Sequence, residues 1–319
     1  FICGDQALSA EMLTKFKKDA VDGKDADFIA DKLAERDARH ARQGDARYVV
    51  EPNIKEGKGG LRDLQTLYWV VKHIYGGHTL EDVMQGGPFT RSEYGSFIRS
   101  AKFLWTVRCH LHFVTGRAEE RLSFDLQSEI AARMGYRDRT GQLGVERFMK
   151  RYFLVAKDVG ALTRIIAAKL EAEQKKKPEG FRRLLPQKTP QALEDEGFVI
   201  DAGRVSITSE AVMKDDPLNM LRLFIIARRE SKDIHPDALS AITRNLRGLN
   251  EEIRSTEEAR ELILDAIIGG RDPALILRRM NEAGVLGKAI PEFGGIVAQT
   301  QFNMYHHYTV DEHTIRAVE

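Results

Sequence analysis

Apolar residues recur three and four positions apart along most of the chain, the spacing that gathers them on one face of an α-helix. The clearest set predicts a helix over about residues 61–75. Similar sets predict a helix that ends before Gly116 and a long helix over residues 145–173. Trp69 and Trp105 lie within these apolar patterns and are therefore predicted to be core residues.

Two short stretches interrupt the helical pattern. Residues 48–50 are aromatic or β-branched and predict a short strand or an extended lead into the turn at Pro52. Residues 198–207 form two β-branched runs around Asp201-Ala202-Gly203, where the glycine can take a positive φ, and they predict a β-hairpin. The predicted fold class is therefore mainly α, with multi-helix domains and a small β element.

Helix start signals resume after the hairpin. Asp272 and Pro273 supply an N-cap residue and a proline at the first helical position. Ser255 and Glu258 have the spacing of a capping box, in which Ser255 would be the N-cap. These signals predict a helical packing module.

A basic stretch ended by Pro178 divides the chain. The long helical pattern dissolves there, so residues 175–185 are predicted to be a linker. The linker would separate a helical bundle within residues 1–174 from the module with the hairpin at residues 186–300.

Composition narrows the range of functions. The 49 lysines and arginines nearly balance the 48 aspartates and glutamates, which argues against a dedicated nucleic-acid binder. No apolar run reaches membrane-spanning length, so no membrane partner is expected. Cys3 and Cys109 lie far apart, predict no disulfide framework and favour a cytoplasmic location.

A glycine-rich, basic loop before the helix at residues 61–75 is the first candidate site. Free N–H groups and the dipole at a helix start favour a bound anion, and basic side chains would add charge. The candidate nucleotide- or phosphate-binding residues are Lys55, Gly57, Lys58, Gly59, Gly60, Arg62 and Asp63. The loop has neither P-loop nor dinucleotide-fingerprint spacing. A tight turn that caps a core helix explains the same residues, and both interpretations stay open.

The second candidate site is a histidine-rich run at residues 305–314. It holds His306, His307 and His313 together with Asp311 and Glu312. Histidine with oxygen ligands suits a hydrolytic divalent metal. A polar helix start at the surface explains the run equally well.

These two runs carry a resemblance to a known family. Residues 51–65 resemble the glycine-rich signature of the bifunctional PII uridylyltransferase/uridylyl-removing enzymes and, more loosely, that of the glutamine-synthetase adenylyltransferases. Residues 305–314 resemble the opening of the HD phosphohydrolase domain of the first family. Three further stretches match that family in order and approximate spacing, at residues 121–127, 145–152 and 277–287.

The resemblance implies two activities in the whole protein. One is the Mg²⁺-dependent attachment of UMP from UTP to a tyrosine of the PII signalling protein, and the other is the hydrolytic removal of that UMP at an HD site with a divalent metal. Residues 1–174 would then include the C-terminal part of the nucleotidyltransferase region, and residues 301–319 would be a truncated start of the HD domain. His313 would be the first HD metal ligand.

Part of each catalytic signature is not found. The catalytic strand of such a nucleotidyltransferase is expected to carry a glycine-rich turn followed by a magnesium-binding Asp-x-Asp pair, and this chain has no such run. Asp25 and Asp27 have the spacing of the pair but are interpreted as a helix start. The later His-Asp doublet of an HD domain is also not found. We therefore expect both active sites to be incomplete, with no bound metal and no turnover by this chain alone. The alternatives are a non-catalytic helical scaffold that binds a partner protein and an adenylyltransferase-type nucleotidyltransferase.

Overall fold

A computed structural model describes the chain at residues 3–42, 48–77, 81–82, 87, 89–176, 190–270, 272–302 and 308–318. These residues are mainly helical and include one small antiparallel sheet, which confirms the predicted fold class. They contain no helix that is both long enough and apolar enough to cross a membrane.

Most of the first half of the chain packs around a long central helix. Its helices are α1 (Gln6–Phe16), α2 (Asp25–Arg42), α3 (Leu61–Tyr75), α4 (Arg91–Thr115), α5 (Phe124–Arg133) and α6 (Gly144–Lys176). Helices α3, α4 and α5 each pack against α6. The core includes Leu61, Leu64 and Leu67 of the predicted apolar face, together with Phe148 and Phe153 of α6. Each fully buried side chain of this size contributes roughly 1.5–3 kcal/mol to folding.

The two tryptophans are not core residues, contrary to the prediction. Trp69 is 36% exposed and Trp105 is 44% exposed. The Arg108 guanidinium lies 5.2 Å from the ring centroid of Trp105, and Lys32 Nζ lies 5.6 Å from that of Trp69. Each indole therefore lies at the surface within cation–π distance of a basic side chain, an arrangement that helical spacing does not reveal.

The second half combines the sheet with short helices. Strands β1 (Gln191–Ala192), β2 (Phe198–Asp201) and β3 (Arg204–Ile207) pair antiparallel in the order β1-β2-β3. Ala202 and Gly203 connect β2 to β3 with φ values of 50° and 80°. Positive φ at both turn residues matches the twist of a two-residue hairpin, so the predicted hairpin is confirmed.

Nine α-helices follow the sheet within the described residues, and they enclose a second core. They are α7 (Ala211–Asp215), α8 (Asn219–Arg229), α9 (Pro236–Asn245), α10 (Glu251–Arg254), α11 (Glu257–Ile268), α12 (Pro273–Ala283), α13 (Val285–Ala289), α14 (Pro291–Ile296) and α15 (Val310–Arg316). The second core contains Phe198 of β2, Phe224 of α8 and Met280 of α12. Ile315 of α15 also belongs to it.

Two local predictions need correction. The strand predicted at residues 48–50 is reduced to a single antiparallel bridge between Val49 and Tyr308, because its partner is one remote residue and not a second strand. The capping box predicted with Ser255 as the N-cap is not found. Thr256 is the N-cap of α11 and accepts a hydrogen bond from the Ala259 N–H.

Helix α6 joins the two halves. Arg164 lies 2.9 Å from Glu282, and Lys157 Nζ donates to the Asn281 carbonyl oxygen. The rings of Phe124 and Phe302 stack with centroids 4.0 Å apart. Most of the predicted linker at residues 175–185 lies outside the described residues, because α6 ends at Lys176 and the chain is next described at residue 190.

Candidate functional site

The glycine-rich loop is anchored at its start to a neighbouring segment of the first half. Ile54 N–H donates to the Glu120 carbonyl oxygen at 2.8 Å, and Asn53 forms a bridge with Arg121. The Asn53 side-chain oxygen accepts from the N–H groups of Lys55 at 3.1 Å and Glu56 at 2.7 Å. An asparagine that bonds the backbone two and three residues ahead stabilises a tight turn. The loop therefore has a defined shape before it reaches α3.

The N–H groups at the start of α3 are engaged within the loop. Leu61 N–H donates to the Ile54 carbonyl oxygen at 3.0 Å, and Arg62 N–H donates to that of Lys55 at 2.9 Å. These are the groups that would receive an anion at a helix start. Because they already have acceptors, this conformation favours the interpretation of the loop as a cap that braces α3.

The three glycines have different roles in the turn. Gly57 donates to the Asn53 carbonyl oxygen at 3.0 Å, and Gly60 donates to that of Gly57 at 2.8 Å and then caps α3. Gly59 has φ +84°, and a Cβ there would lie 2.3 Å from the Ala156 carbonyl oxygen of α6. A side chain at Gly59 would be strained by the backbone conformation and would collide with α6. The loop therefore packs directly on the central helix.

Asp63 is the buried centre of this site. It lies in the first turn of α3 and is 1% exposed. Its carboxylate accepts from Gly59 N–H at 2.7 Å, from His40 Nε2 at 2.9 Å and from Arg39. Arg39 and His40 are themselves buried near the end of α2. A single carboxylate thus ties together α2, the loop and α3.

The surroundings of Asp63 keep it ionised. Burial opposes ionisation, but the hydrogen bond and charge of His40, the Gly59 N–H and the Arg39 guanidinium outweigh it, so the pKa of Asp63 lies below its ordinary value. A carboxylate that accepts several hydrogen bonds is favoured in its charged form. The ion pair therefore persists at neutral pH.

The basic side chains of the loop lie partly exposed and close to a carboxylate. Arg62 Nη2 lies 3.1 Å from Glu56, and Lys55 Nζ lies 3.7 Å from it. Arg62 also donates to Gln65 and lies 5.8 Å from the ring centroid of Trp69. Lys58 is half-buried. These side chains are partly exposed, whereas the N–H groups of Leu61 and Arg62 are engaged within the loop.

The sequence analysis named Asp63 as a candidate for nucleotide or phosphate binding, whereas the structure places it in a buried ion pair with Arg39 and His40, which that analysis missed. The two residues precede Asp63 by more than twenty positions and lie in a highly charged helix. No local spacing connects them to the loop. The predicted helix start at Asp25 and Asp27 is confirmed, because both lie in the first turn of α2.

The histidine-rich run is only partly described. Tyr305, His306 and His307 lie outside the described residues. His313 is exposed on α15. Asp311 is buried and accepts from Asn281 Nδ2 at 2.9 Å.

The neighbouring carboxylate of α15 is also engaged in the second half. Glu312 is buried, and it accepts from Arg278 at 2.9 Å and from Arg316 at 3.2 Å. In the part of the chain that the structure describes, no three His, Cys, Asp or Glu side chains are grouped to hold a metal ion. The described residues therefore do not form a metal site by themselves.

Comparison with known proteins assigns the chain to a family. A model described as GlnD PII-uridylyltransferase matches residues 27–167, and a model described as the third domain of uridylyltransferase GlnD matches residues 198–288. This chain belongs to the GlnD uridylyltransferase family. The first GlnD match covers most of α2, the glycine-rich loop, α3 and most of α6.

One relative in this family matches along nearly the whole chain. The chain is 53% identical over 320 residues to the bifunctional uridylyltransferase/uridylyl-removing enzyme of Phenylobacterium zucineum (strain HLK1). The match covers 99% of this chain and 34% of the relative, so the chain spans about a third of the length of that GlnD-family protein. No solved structure matches the chain significantly.

A glycine substitution tests how closely the loop packs on α6. Gly59→Ala and Gly135→Ala place a Cβ at nearly equal φ values, +84° and +81°, but nothing lies within 4 Å of a Cβ at Gly135. We expect Gly135→Ala to lower the free energy of unfolding by about 1–2 kcal/mol through backbone strain. Gly59→Ala should lower the free energy of unfolding by about 1–3 kcal/mol more than Gly135→Ala does, because its Cβ clashes with α6. Urea unfolding measures both, and equal losses would contradict the close packing.

Asp63→Asn tests the buried ion pair. At neutral pH the free energy of unfolding should fall by about 3–5 kcal/mol, because the Arg39 charge stays buried without its carboxylate. The folded-state pKa of Asp63 is lowered, so its contribution is present above the ordinary pKa and is lost as pH falls through the folded-state value. The difference between wild type and variant, measured by urea unfolding, should therefore shrink below about pH 4.

Glu210→Gln is the matched control for this change. It removes a carboxylate charge from the exposed pair with Arg244, which water screens. A loss as large as that of Asp63→Asn, or a difference for Asp63→Asn that is constant down to acid pH, would contradict the assigned role of Asp63.

Proposed function

We propose that this chain is part of an enzyme that attaches UMP from UTP to the PII signalling protein and removes that UMP by hydrolysis. The observation that carries the proposal is the match along 99% of the chain to a relative named for both activities. The two GlnD models, which match in chain order, support it. The relative's name favours UTP over the ATP of an adenylyltransferase-type enzyme.

The first half would serve the transfer reaction. The tyrosyl oxygen of PII would attack the α-phosphorus of UTP in line, and pyrophosphate would leave. Mg²⁺ would supply charge stabilisation for that leaving group. We assign no residue of this chain to Mg²⁺.

The glycine-rich loop would contribute in two ways. Its backbone and Asp63 hold α2, α3 and α6 in a fixed arrangement. The partly exposed cations Lys55, Lys58 and Arg62 would face the nucleotide phosphates. A charge-assisted hydrogen bond from such a side chain contributes roughly 1.5–3 kcal/mol.

The helix α15 would begin the hydrolytic part. His313 lies exposed one turn beyond the buried Thr309, as a ligand that opens onto a site would. A neutral imidazole there would help hold a divalent metal, which lowers the pKa of bound water. We assign no further ligand among the described residues, where no three potential ligands are grouped.

The experiment that tests this function uses the intact protein that contains the chain. With PII, UTP and Mg²⁺ we expect UMP attachment, and with uridylyl-PII we expect UMP release. His313→Ala should abolish release and leave attachment within about twofold, because the two reactions belong to different sites. Thr314→Ala, at the next exposed position of α15, is the matched control and should change neither rate.

Three outcomes would overturn parts of this proposal. Loss of both activities in His313→Ala would argue against a separate hydrolytic site. PII binding that is independent of UTP, without turnover in the intact protein, would identify a scaffold. The 319-residue chain alone is expected to catalyse neither reaction, and turnover by it would show that its catalytic residues are complete.

Lys58→Ala tests the phosphate role of the loop. We expect the KM for UTP to rise about tenfold or more, with little change in melting temperature, since a charge-assisted hydrogen bond is lost. Lys102→Ala, at an exposed position of α4, controls for a change in surface charge. Unaltered UTP kinetics combined with a lower melting temperature would assign the loop a bracing role only.

A further inference from the structure

We propose that Asn281 is a positioning residue that fixes the His313 helix, α15, to the central helix α6. This inference rests on the proposed hydrolytic role of His313. It concerns how the site is held and assigns Asn281 no contact with substrate.

Asn281 contacts both helices at once. It lies near the end of α12 and is 2% exposed. Its carbonyl oxygen accepts from Lys157 Nζ of α6 at 2.5 Å. Its side-chain Nδ2 donates to Asp311 Oδ2 of α15 at 2.9 Å. One residue of α12 therefore connects the core helix of the first half to the start of α15.

The start of α15 is enclosed from other directions as well. Thr309, its N-cap, is fully buried, and its N–H donates to the Tyr48 carbonyl oxygen at 3.2 Å. Val310 N–H donates to that of Gln299 at 2.8 Å. The His313 N–H donates to the Thr309 carbonyl oxygen at 2.9 Å, so the position of the imidazole follows that of the buried turn.

The contact requires an amide at position 281. Asp311 is fully buried, and its other oxygen, Oδ1, has no hydrogen-bond partner among the described residues. An aspartate at 281 would therefore set two carboxylates against each other where water cannot screen them. Exchanging the two side chains would restore one donor and one acceptor at the same place, because asparagine and aspartate have nearly the same shape.

The experiment uses the intact enzyme with three changes: Asn281→Asp, the double change Asn281→Asp with Asp311→Asn, and Asn250→Asp as control. Asn250 is an exposed N-cap, a position that aspartate fills equally well. We expect Asn281→Asp to lower kcat for UMP release at least about tenfold and to leave kcat for attachment within about twofold. In the double variant, kcat for UMP release should return to within about threefold of the wild-type value. The control Asn250→Asp should have the same kcat as wild type.

Hydrogen exchange of the α15 amides supplies a readout that does not depend on activity. Residues 310–316 should exchange faster in Asn281→Asp and regain protection in the double variant. If Asn281→Asp does not fold, Asn281→Ser removes the contact without adding charge and should show the same loss of protection. Unchanged protection in α15, or equal loss of both activities without rescue, would overturn the inference. If the wild-type protein releases no UMP but the variants show the predicted changes in hydrogen exchange, the proposed function is overturned and the positioning role stands.

Discussion

The arrangement of the first half depends on one ionised carboxylate in its interior. A buried carboxylate without partners costs several kcal/mol, so Asp63 is stable only while Arg39, His40 and Gly59 N–H all donate to it. The donors come from α2 and from the loop, and the acceptor comes from α3. If any one of these segments moved, a buried charge on another segment would lose its partner. The three segments are therefore held together more specifically than apolar packing alone would hold them.

The position of the loop against α6 follows from this constraint. Asp63 fixes Gly59, and Gly59 lies so close to Ala156 that no other residue fits. The apolar face of α3 then packs against the same central helix. The glycines that first suggest an anion site thus serve close backbone packing.

The sequence predicted what depends on local pattern. The helices at residues 61–75 and 145–173 and the hairpin at residues 198–207 follow from side-chain periodicity and from one glycine turn. The role of Trp105 and the single bridge at Val49 were not predictable in this way, because each depends on a partner distant in sequence. Within the candidate site the same limit applies. Asp63 lies in a recognisable motif, whereas Arg39 and His40 join it only through the packing of α2 on α3.

The bridge between Val49 and Tyr308 also bears on how the chain is made. Synthesis proceeds from the N-terminus, and domains fold as their residues emerge. Helices α2 to α6 can pack around their core while the partner of Val49 has not yet been translated. Val49 therefore has no bridge partner until Tyr308 has been translated, so this contact between the two halves forms only after α2 to α6 have been synthesised.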